Sequence, residues 1–132
     1  QDVIGTIELE EQYSKGLADL EGFSHIYLLY QFHKATHTSL TVTPFMDTHE
    51  RGVFATRSPV RPNHIGLSIV RVERVKGNLV TVRGIDILDG TPLLDIKPYI
   101  AAFDSVRESR SGWMNSSEAE VADRRSDQRF IK

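Results

Sequence analysis

The sequence predicts a mainly β protein, specifically a small single-sheeted β-barrel with short helical segments. Several segments alternate apolar and polar residues with the period of a strand, turn residues separate them, and no βαβ rhythm occurs. The chain has 132 residues, 39% of them hydrophobic and 26% charged, which is one domain of ordinary composition. We therefore expect a barrel domain at residues 1–106 and a C-terminal extension at residues 107–132.

The first elements follow from their periodicity. "VIGTIELEE" alternates as a half-exposed strand, and "YSKGLADLEGF" has room for a single helical turn before Gly22. "SHIYLLYQFH" is apolar on both faces until its end, which indicates a buried central strand with polar groups at its C-terminal end. The threonine-rich residues 34–50 read as a loop with a weak strand around residues 40–43.

A β-hairpin is predicted in the second half of the chain. "IGLSIVRVERV" and "NLVTVRGIDIL" are separated by Gly77 and Asn78, which suit a two-residue turn with positive φ. "TPLLDIKPYI" follows a turn at Asp89 and Gly90, and its prolines favour an edge or a strand end. The tail from residue 107 reads either as a mobile terminus or as a segment that Trp113 and other apolar residues anchor to the barrel or to a second subunit, with a short helix near residues 117–125.

Composition excludes several classes of function. Without cysteine the chain has no disulfide, thiolate zinc site or cysteine nucleophile. It shows no signal peptide and no spanning apolar run, so we expect a cytoplasmic protein with no membrane partner. His33 and His37 have the spacing of a helical metal pair, but their strand-like context and the lack of a third ligand lead us to predict no metal site. The net charge is −2, yet residues 51–76 carry six Arg and Lys against one Glu, which suits an anionic ligand.

Two motifs carry most of the chemistry. In "RSPVRPNHIGLS" the prolines stiffen the backbone, Arg57 and Arg61 offer forked donors to a carboxylate or phosphate, and Asn63 tolerates left-handed φ. The alternative interpretation is purely structural: a barrel corner whose arginines make surface ion pairs would contain the same residues. In "DILDGTPLLDIKPY" the aspartates can accept from hydroxyls or take a proton, although ordinary turn chemistry also accounts for Asp-Gly and Thr-Pro.

Three long segments together resemble a known family. "LEGFSHIYLLYQFHK", "GVFATRSPVRPNHIGLSIVRVERV" and "VRGIDILDGTPLLDIKPYI" look like the TrmO (TsaA-like, also called YaeB or VirR-like) family of S-adenosylmethionine-dependent tRNA methyltransferases, over roughly residues 7–104. The resemblance implies a single-sheeted β-barrel, usually a homodimer, that methylates N6 of threonylcarbamoyl-adenosine beside the tRNA anticodon. Members of the family generally have a further strand and a "PRQ"-like element before the position of Gln1, so we expect those parts of the cofactor pocket to be missing from this chain. The sequence lacks the G-x-G-x-x-G fingerprint, which fits a family that does not bind its cofactor with a Rossmann fold.

The resemblance also implies the residues of the site. Those around S-adenosylmethionine are His33, Lys34, Arg57, Leu67, Ile87, Leu88, Asp89 and Gly90. In this assignment Leu67 and Leu88 contact the adenine, and Asp89 accepts a hydrogen bond from a hydroxyl or amino group of the cofactor. We hypothesise that Asp89 or Asp95, or a water held by Tyr99, removes the proton from the nucleophile, and that Arg61, Asn63 and Lys97 grip the RNA.

Two further function classes stay open at this point. A small-ligand-binding barrel would bind S-adenosylmethionine or another small ligand without turnover, and a tRNA-binding module would bind RNA without a cofactor. The low overall charge disfavours the pure RNA-binding module, because such a module draws its affinity largely from phosphate contacts.

Overall fold

A computed structural model describes residues 3–114. It is mainly β, as predicted, and its helices are short. The strands are β1 (Ile4–Glu8), β2 (His25–Gln31), β3 (Thr41–Val42), β4 (Arg51–Gly52), β5 (Ile65–Lys76), β6 (Leu79–Arg83) and β7 (Leu93–Pro98). The helices are 3-10 turns at Glu11–Leu17, Leu20–Gly22, Val53–Ala55 and Gly112–Met114, and one α-helical turn, α1 (Ala101–Asp104). No helix in the part of the chain described is long and apolar enough to cross a membrane.

The main sheet has five strands in the order β1-β6-β5-β2-β7. Neighbouring strands run antiparallel. For β2 and β5 this follows from two hydrogen bonds. The carbonyl of Ser24, just before β2, accepts from the amide of Val72 late in β5, and the hydroxyl of Tyr30, near the end of β2, is hydrogen-bonded to that of Ser68 early in β5. Across residues 3–114 the sheet is open, with β1 and β7 at its edges. The structure thus confirms the mainly β class but not barrel closure, because β1 and β7 pair only with β6 and β2.

The chain divides into two compact units. Among the described residues, the sheet unit takes in residues 3–31 together with Leu67–Ser105, and the loop unit takes in Phe32–Gly66 together with residues 106–114. The core of the sheet unit is one face of the sheet with two residues of the 3-10 turns. Its buried side chains are Leu17, Leu20, Ile26, Leu28, Tyr30, Val70, Val80 and Val82. In β2 every second residue is buried, so its other face is only partly covered.

The predicted hairpin is confirmed. Lys76 pairs with Leu79 across a two-residue turn, and Gly77 has φ +62°. The second strand is shorter than its sequence suggested, because it ends at Arg83 before Gly84, whose φ is +88°. The weak strand predicted around residues 40–43 is β3, which pairs with β4. The helix predicted near residues 117–125 lies outside the described residues.

Candidate functional site

In the loop unit, the side chain of Arg61 forms hydrogen bonds to the backbone of its own RSPVRPNH segment and of the turn before it. Its Nη1 donates to the carbonyl oxygens of Val53 (3.2 Å), Thr56 (2.8 Å) and Ser58 (3.1 Å), and its guanidinium lies 6.0 Å from the centroid of the Phe54 ring. The carbonyl of Val53 also accepts from the amide and hydroxyl of Thr56, whereas within residues 3–114 those of Thr56 and Ser58 have Arg61 as their donor, so the side chain fixes the course of the loop. Arg61 therefore stabilises the conformation of the loop, and its Nη1 is already used by these carbonyls.

His64 completes the turn at the end of this segment. Its amide donates to the carbonyl of Arg61, its Nδ1 lies 2.9 Å from the carbonyl oxygen of Pro59, and its own carbonyl accepts from the amide of Phe32 at 2.7 Å. His64 has φ +50°, so it, rather than Asn63, takes the left-handed conformation. The sequence suggested left-handed φ at Asn63, whereas the role of His64 depends on contacts that the motif does not reveal.

Arg57, His33 and Lys34 are the exposed polar residues of this unit that the resemblance assigns to the cofactor. His33 and Lys34 are the two central residues of a turn in which the amide of Ala35 donates to the carbonyl of Phe32 at 3.0 Å. Arg57 lies between Thr56 and Ser58, whose carbonyls Arg61 holds. Within residues 3–114 the side chain of Arg57 makes no ion pair or hydrogen bond, so its guanidinium is available to an anion.

The residues of the sheet unit that the resemblance assigns to the cofactor gather at one end of the sheet. Leu88 begins a turn in which the amide and hydroxyl of Thr91 both donate to the Leu88 carbonyl, and Pro92 accepts from the amide of Gln31 at the end of β2. The same end holds the start of β5, since the hydroxyls of Tyr30 and Ser68 are 2.9 Å apart. Leu67 is thereby on the same end of the sheet as the turn, because antiparallel pairing puts the end of β2 beside the starts of β5 and β7.

The turn itself is open. The Leu88 side chain is 62% exposed, Asp89 is exposed, and Gly90 has φ +81° with open space where a Cβ would lie. Ile87 is half-buried. The carboxylate of Asp89 has no hydrogen bond or ion pair in the part of the chain described. This turn can therefore offer an apolar surface, a free acceptor and a close backbone approach.

The three residues hypothesised to serve in proton removal do not come together. Asp89 precedes β7, Asp95 lies in its middle opposite Leu29, and Tyr99 follows its end, where its amide donates to the carbonyl of His25. Tyr99 is four residue steps along the extended chain from Asp95, a separation of about 13 Å. Asp95 also lies 3.5 Å from the Nζ of Lys97, one of the predicted RNA ligands, so each neutralises the other in part.

An aromatic cluster surrounds Tyr99 at the far end of the sheet. Its ring lies 5.8 Å from that of Tyr27 and 6.4 Å from that of His25. Burial, and after it the charge of Asp104, raises the pKa of the Tyr27 phenol. This cluster is at the opposite end of β2 from Gln31, and therefore away from the open turn.

A second cluster, in the loop unit, was not predicted. Asp47 accepts from the Nε of Arg51 at 2.8 Å and from the amides of Thr48 and His49, and the Arg51 hydrogen bond is the main reason that the pKa of Asp47 lies well below its usual range. Arg51 lies 5.4 Å from the centroid of Trp113, whose Nε1 donates to the carbonyl of Ala55 at 2.8 Å. The opposite charges at positions 47 and 51 were the signal in the sequence. The Trp113 contact is non-local.

These features define a mainly β protein in which, among residues 3–114, no βαβ unit occurs and an open turn at one end of an antiparallel sheet is the candidate binding element. The chain belongs to the family of the tRNA-methyltransferase O N-terminal domain, whose family model matches residues 1–105.

Known proteins resemble the chain over most of its length. It is 49% identical over 131 residues to a probable S-adenosyl-L-methionine-binding protein of Pyrococcus abyssi, covering 99% of this chain and 71% of that protein. It is 49% identical over 92 residues to the mouse tRNA (adenine(37)-N6)-methyltransferase, covering 67% of this chain and 21% of the mouse protein. The crystal structure of TrmO from Pseudomonas aeruginosa superposes with a TM-score of 0.69 at 42% identity, covering 83% of this chain and 48% of that one. The chain therefore spans about half of that structure and about a fifth of the mouse enzyme.

Proposed function

We propose that this chain is an S-adenosylmethionine-dependent methyltransferase that acts on N6 of threonylcarbamoyl-adenosine in tRNA, beside the anticodon. The observation that carries the proposal is the family match over residues 1–105, which contains both motifs. The name of the mouse relative supports the adenine-N6 reaction on tRNA, and that of the Pyrococcus relative supports the cofactor.

The residues fit the chemistry of S-adenosylmethionine. Leu67 and Leu88 expose apolar side chains for the adenine, and Asp89 has a free carboxylate for a ribose hydroxyl. The exposed guanidinium of Arg57 suits the cofactor's carboxylate or an RNA phosphate, and His33, Lys34, Ile87 and Gly90 complete the set that the resemblance assigns. When bound, S-adenosylmethionine supplies an electrophilic methyl group.

The protein's own contribution would be orientation and proton removal. The acceptor nitrogen loses a proton as it takes the methyl group, and Asp89 is the proposed acceptor for that proton because its carboxylate has no other partner within residues 3–114. Asp95 and Tyr99 are the less favoured candidates, since Asp95 is paired with Lys97 and Tyr99 lies at the far end of β7. Holding the methyl group and the acceptor nitrogen close together in the correct orientation should supply much of the rate acceleration.

Calorimetric titration with S-adenosylmethionine and S-adenosylhomocysteine tests the proposal first. The unaltered chain should bind both saturably, and Arg57→Ala and Asp89→Ala should each weaken binding at least tenfold, whereas Asp95→Ala should not. Transfer of labelled methyl to a tRNA carrying N6-threonylcarbamoyladenosine is the second readout. A folded chain that binds neither molecule would overturn the proposal.

A second candidate function is cofactor binding without turnover. It is favoured by the Pyrococcus relative, which is named for S-adenosyl-L-methionine binding alone. Saturable cofactor binding together with no methyl transfer to the modified tRNA, at any protein concentration, would select it.

Three finer features stay part of the proposal. Closure of the open sheet into a barrel is supported by the family resemblance, as is assembly into a homodimer. An outward row of Ile65 and Ile69 on β5, 43% and 49% exposed, is the candidate surface for a second copy. A cytoplasmic location also stays a prediction.

A further inference from the structure

The outer side of the β5–β6 hairpin carries four cationic side chains, Arg71, Arg74, Lys76 and Arg83, which we name the basic face. Simple strand alternation would send Arg71 and Arg74 to opposite sides, because they are three residues apart. A bulge prevents this: the pairing shifts between Val72 and Arg74, so that Glu73 is an extra residue in the ladder.

The register then aligns the cations. Arg71 pairs with Arg83 and Arg74 with Thr81, and these two partners are two residues apart on β6, so they share one side of the sheet. Lys76 continues the row opposite Leu79. The alternate residues Val80 and Val82 are fully buried in the core, so the side that bears the cations is the outer one.

Few carboxylates offset these charges. Glu73 is shared between two cations, 3.1 Å from the Nε of Arg83 and 3.8 Å from that of Arg71. Glu8 of β1 is exposed on the same side, where it pairs with Leu79. The carboxylate of Glu21 accepts from the amide of Val75, between Arg74 and Lys76, at 2.8 Å. Within residues 3–114 the side chains of Arg74 and Lys76 are exposed and make no ion pair or hydrogen bond. The basic face therefore has two cations that no described side chain neutralises by direct contact.

We propose that the basic face binds the phosphate backbone of the RNA substrate. This inference rests on the proposed function, because it assumes a tRNA substrate. Exposed cations with no competing partner are what phosphate binding requires, and such contacts orient the nucleic acid without reading its sequence. Two cations that the sequence suggested for this role are already engaged, Arg61 with three carbonyls and Lys97 with Asp95, whereas Arg74 and Lys76 are not.

The test measures tRNA affinity as a function of salt. A tRNA carrying N6-threonylcarbamoyladenosine is titrated with the full chain over a series of KCl concentrations, for the unaltered protein and for Arg74→Ala/Lys76→Ala. Removing two phosphate contacts should lower the slope of log K against log salt by about 1.4 to 1.8 and weaken binding about tenfold or more at moderate salt. S-adenosylmethionine affinity and melting temperature should stay unchanged, since neither side chain has a partner in the fold described.

Two variants serve as controls. Lys15→Ala/Arg110→Ala also removes two exposed cations, and so matches the change in net charge, but neither residue is on the basic face. It should change the salt slope little. Arg74→Lys/Lys76→Arg keeps both charges and should bind tRNA as the unaltered chain does, because a phosphate contact depends mainly on charge.

The outcomes separate the two proposals. If the unaltered chain binds no tRNA, the proposed function and the basic face are overturned together. If it binds tRNA, and the alanine variant keeps both its affinity and its salt slope, the basic face alone is overturned and the proposed function stands.

Discussion

Arg57 and Arg61 are four positions apart in one motif and have opposite surroundings. Arg61 donates to three backbone carbonyls, and Arg57 is exposed without a partner in residues 3–114. The two arginines look equivalent in sequence, because each is followed by a proline within two residues. The structure separates a positioning residue from a candidate ligand-binding one, and this difference can be measured.

Arg61→Ala should destabilise the protein by about 1–3 kcal/mol, because the carbonyls of Val53, Thr56 and Ser58 lose their shared donor. Arg57→Ala should change the free energy of unfolding by less than about 0.5 kcal/mol, as for an exposed side chain without partners. Chemical denaturation of both variants gives the comparison. Equal stabilities would contradict the role assigned to Arg61.

Asp47 is expected to make stability depend on pH in the acid range. Hydrogen bonding to Arg51 lowers its pKa in the folded state, so its contribution is fully present above the unfolded-state pKa, about 4, and is lost as pH falls through the folded-state value. Asp47→Asn should therefore lower the melting temperature at pH 7. The difference from the unaltered protein should shrink as the pH is taken below about 4. A difference that is the same at pH 7 and in strong acid would rule this out.

At the scale of elements, the sheet unit is built by alternation and the loop unit by side chains bonding to backbone. The strands of the loop unit are only two residues long, and its one buried apolar side chain among residues 32–66 is Val53. Its order comes from the Arg61 and His64 contacts and from the Asp47, Arg51 and Trp113 cluster.

Trp113 is the only tryptophan of the chain, so its fluorescence reports on this cluster. Arg51→Ala removes the guanidinium that lies over the indole and the partner of Asp47. We expect a red-shifted emission and stronger quenching by acrylamide, because the ring becomes more exposed to water. Arg107→Ala, an exposed cation of the same C-terminal segment, is the control and should leave the spectrum unchanged. Identical spectra for all three proteins would show that the Arg51 contact does not hold Trp113.

At the scale of the whole molecule, the proposed homodimer makes the outer row of β5 an interface. Ile69→Lys should shift the sedimentation of the chain from dimer to monomer, since a charge buried between copies lacks a partner. Val106→Lys changes a similarly apolar side chain that is 70% exposed and outside that row, and it should leave the assembly unchanged. A chain that sediments as a monomer at every concentration would contradict the homodimer.

The local pattern was sufficient for several features. Alternation identified β1 and the β5–β6 hairpin, because the period of two is a property of the strand itself, and a short apolar run identified β2. The Gly77 turn follows from the conformational freedom of one residue. The three long segments together were sufficient to identify the family, which the family model and the relatives then confirmed.

Other features depended on contacts between distant residues. Only the tertiary structure shows that Leu67 and the Leu88–Gly90 turn lie at one end of the sheet and that Asp95 and Tyr99 lie apart. It alone also shows that Arg61 donates hydrogen bonds to backbone carbonyls of its own loop. It also shows an open sheet across residues 3–114 where a closed barrel was expected. Strand pairing and register are set by non-local hydrogen bonds and packing, and a single bulge at Glu73 reverses the side on which Arg74 lies. The sequence by itself therefore determined the strands, the hairpin and the family, whereas only the tertiary structure decided which charged side chains remain available to a ligand.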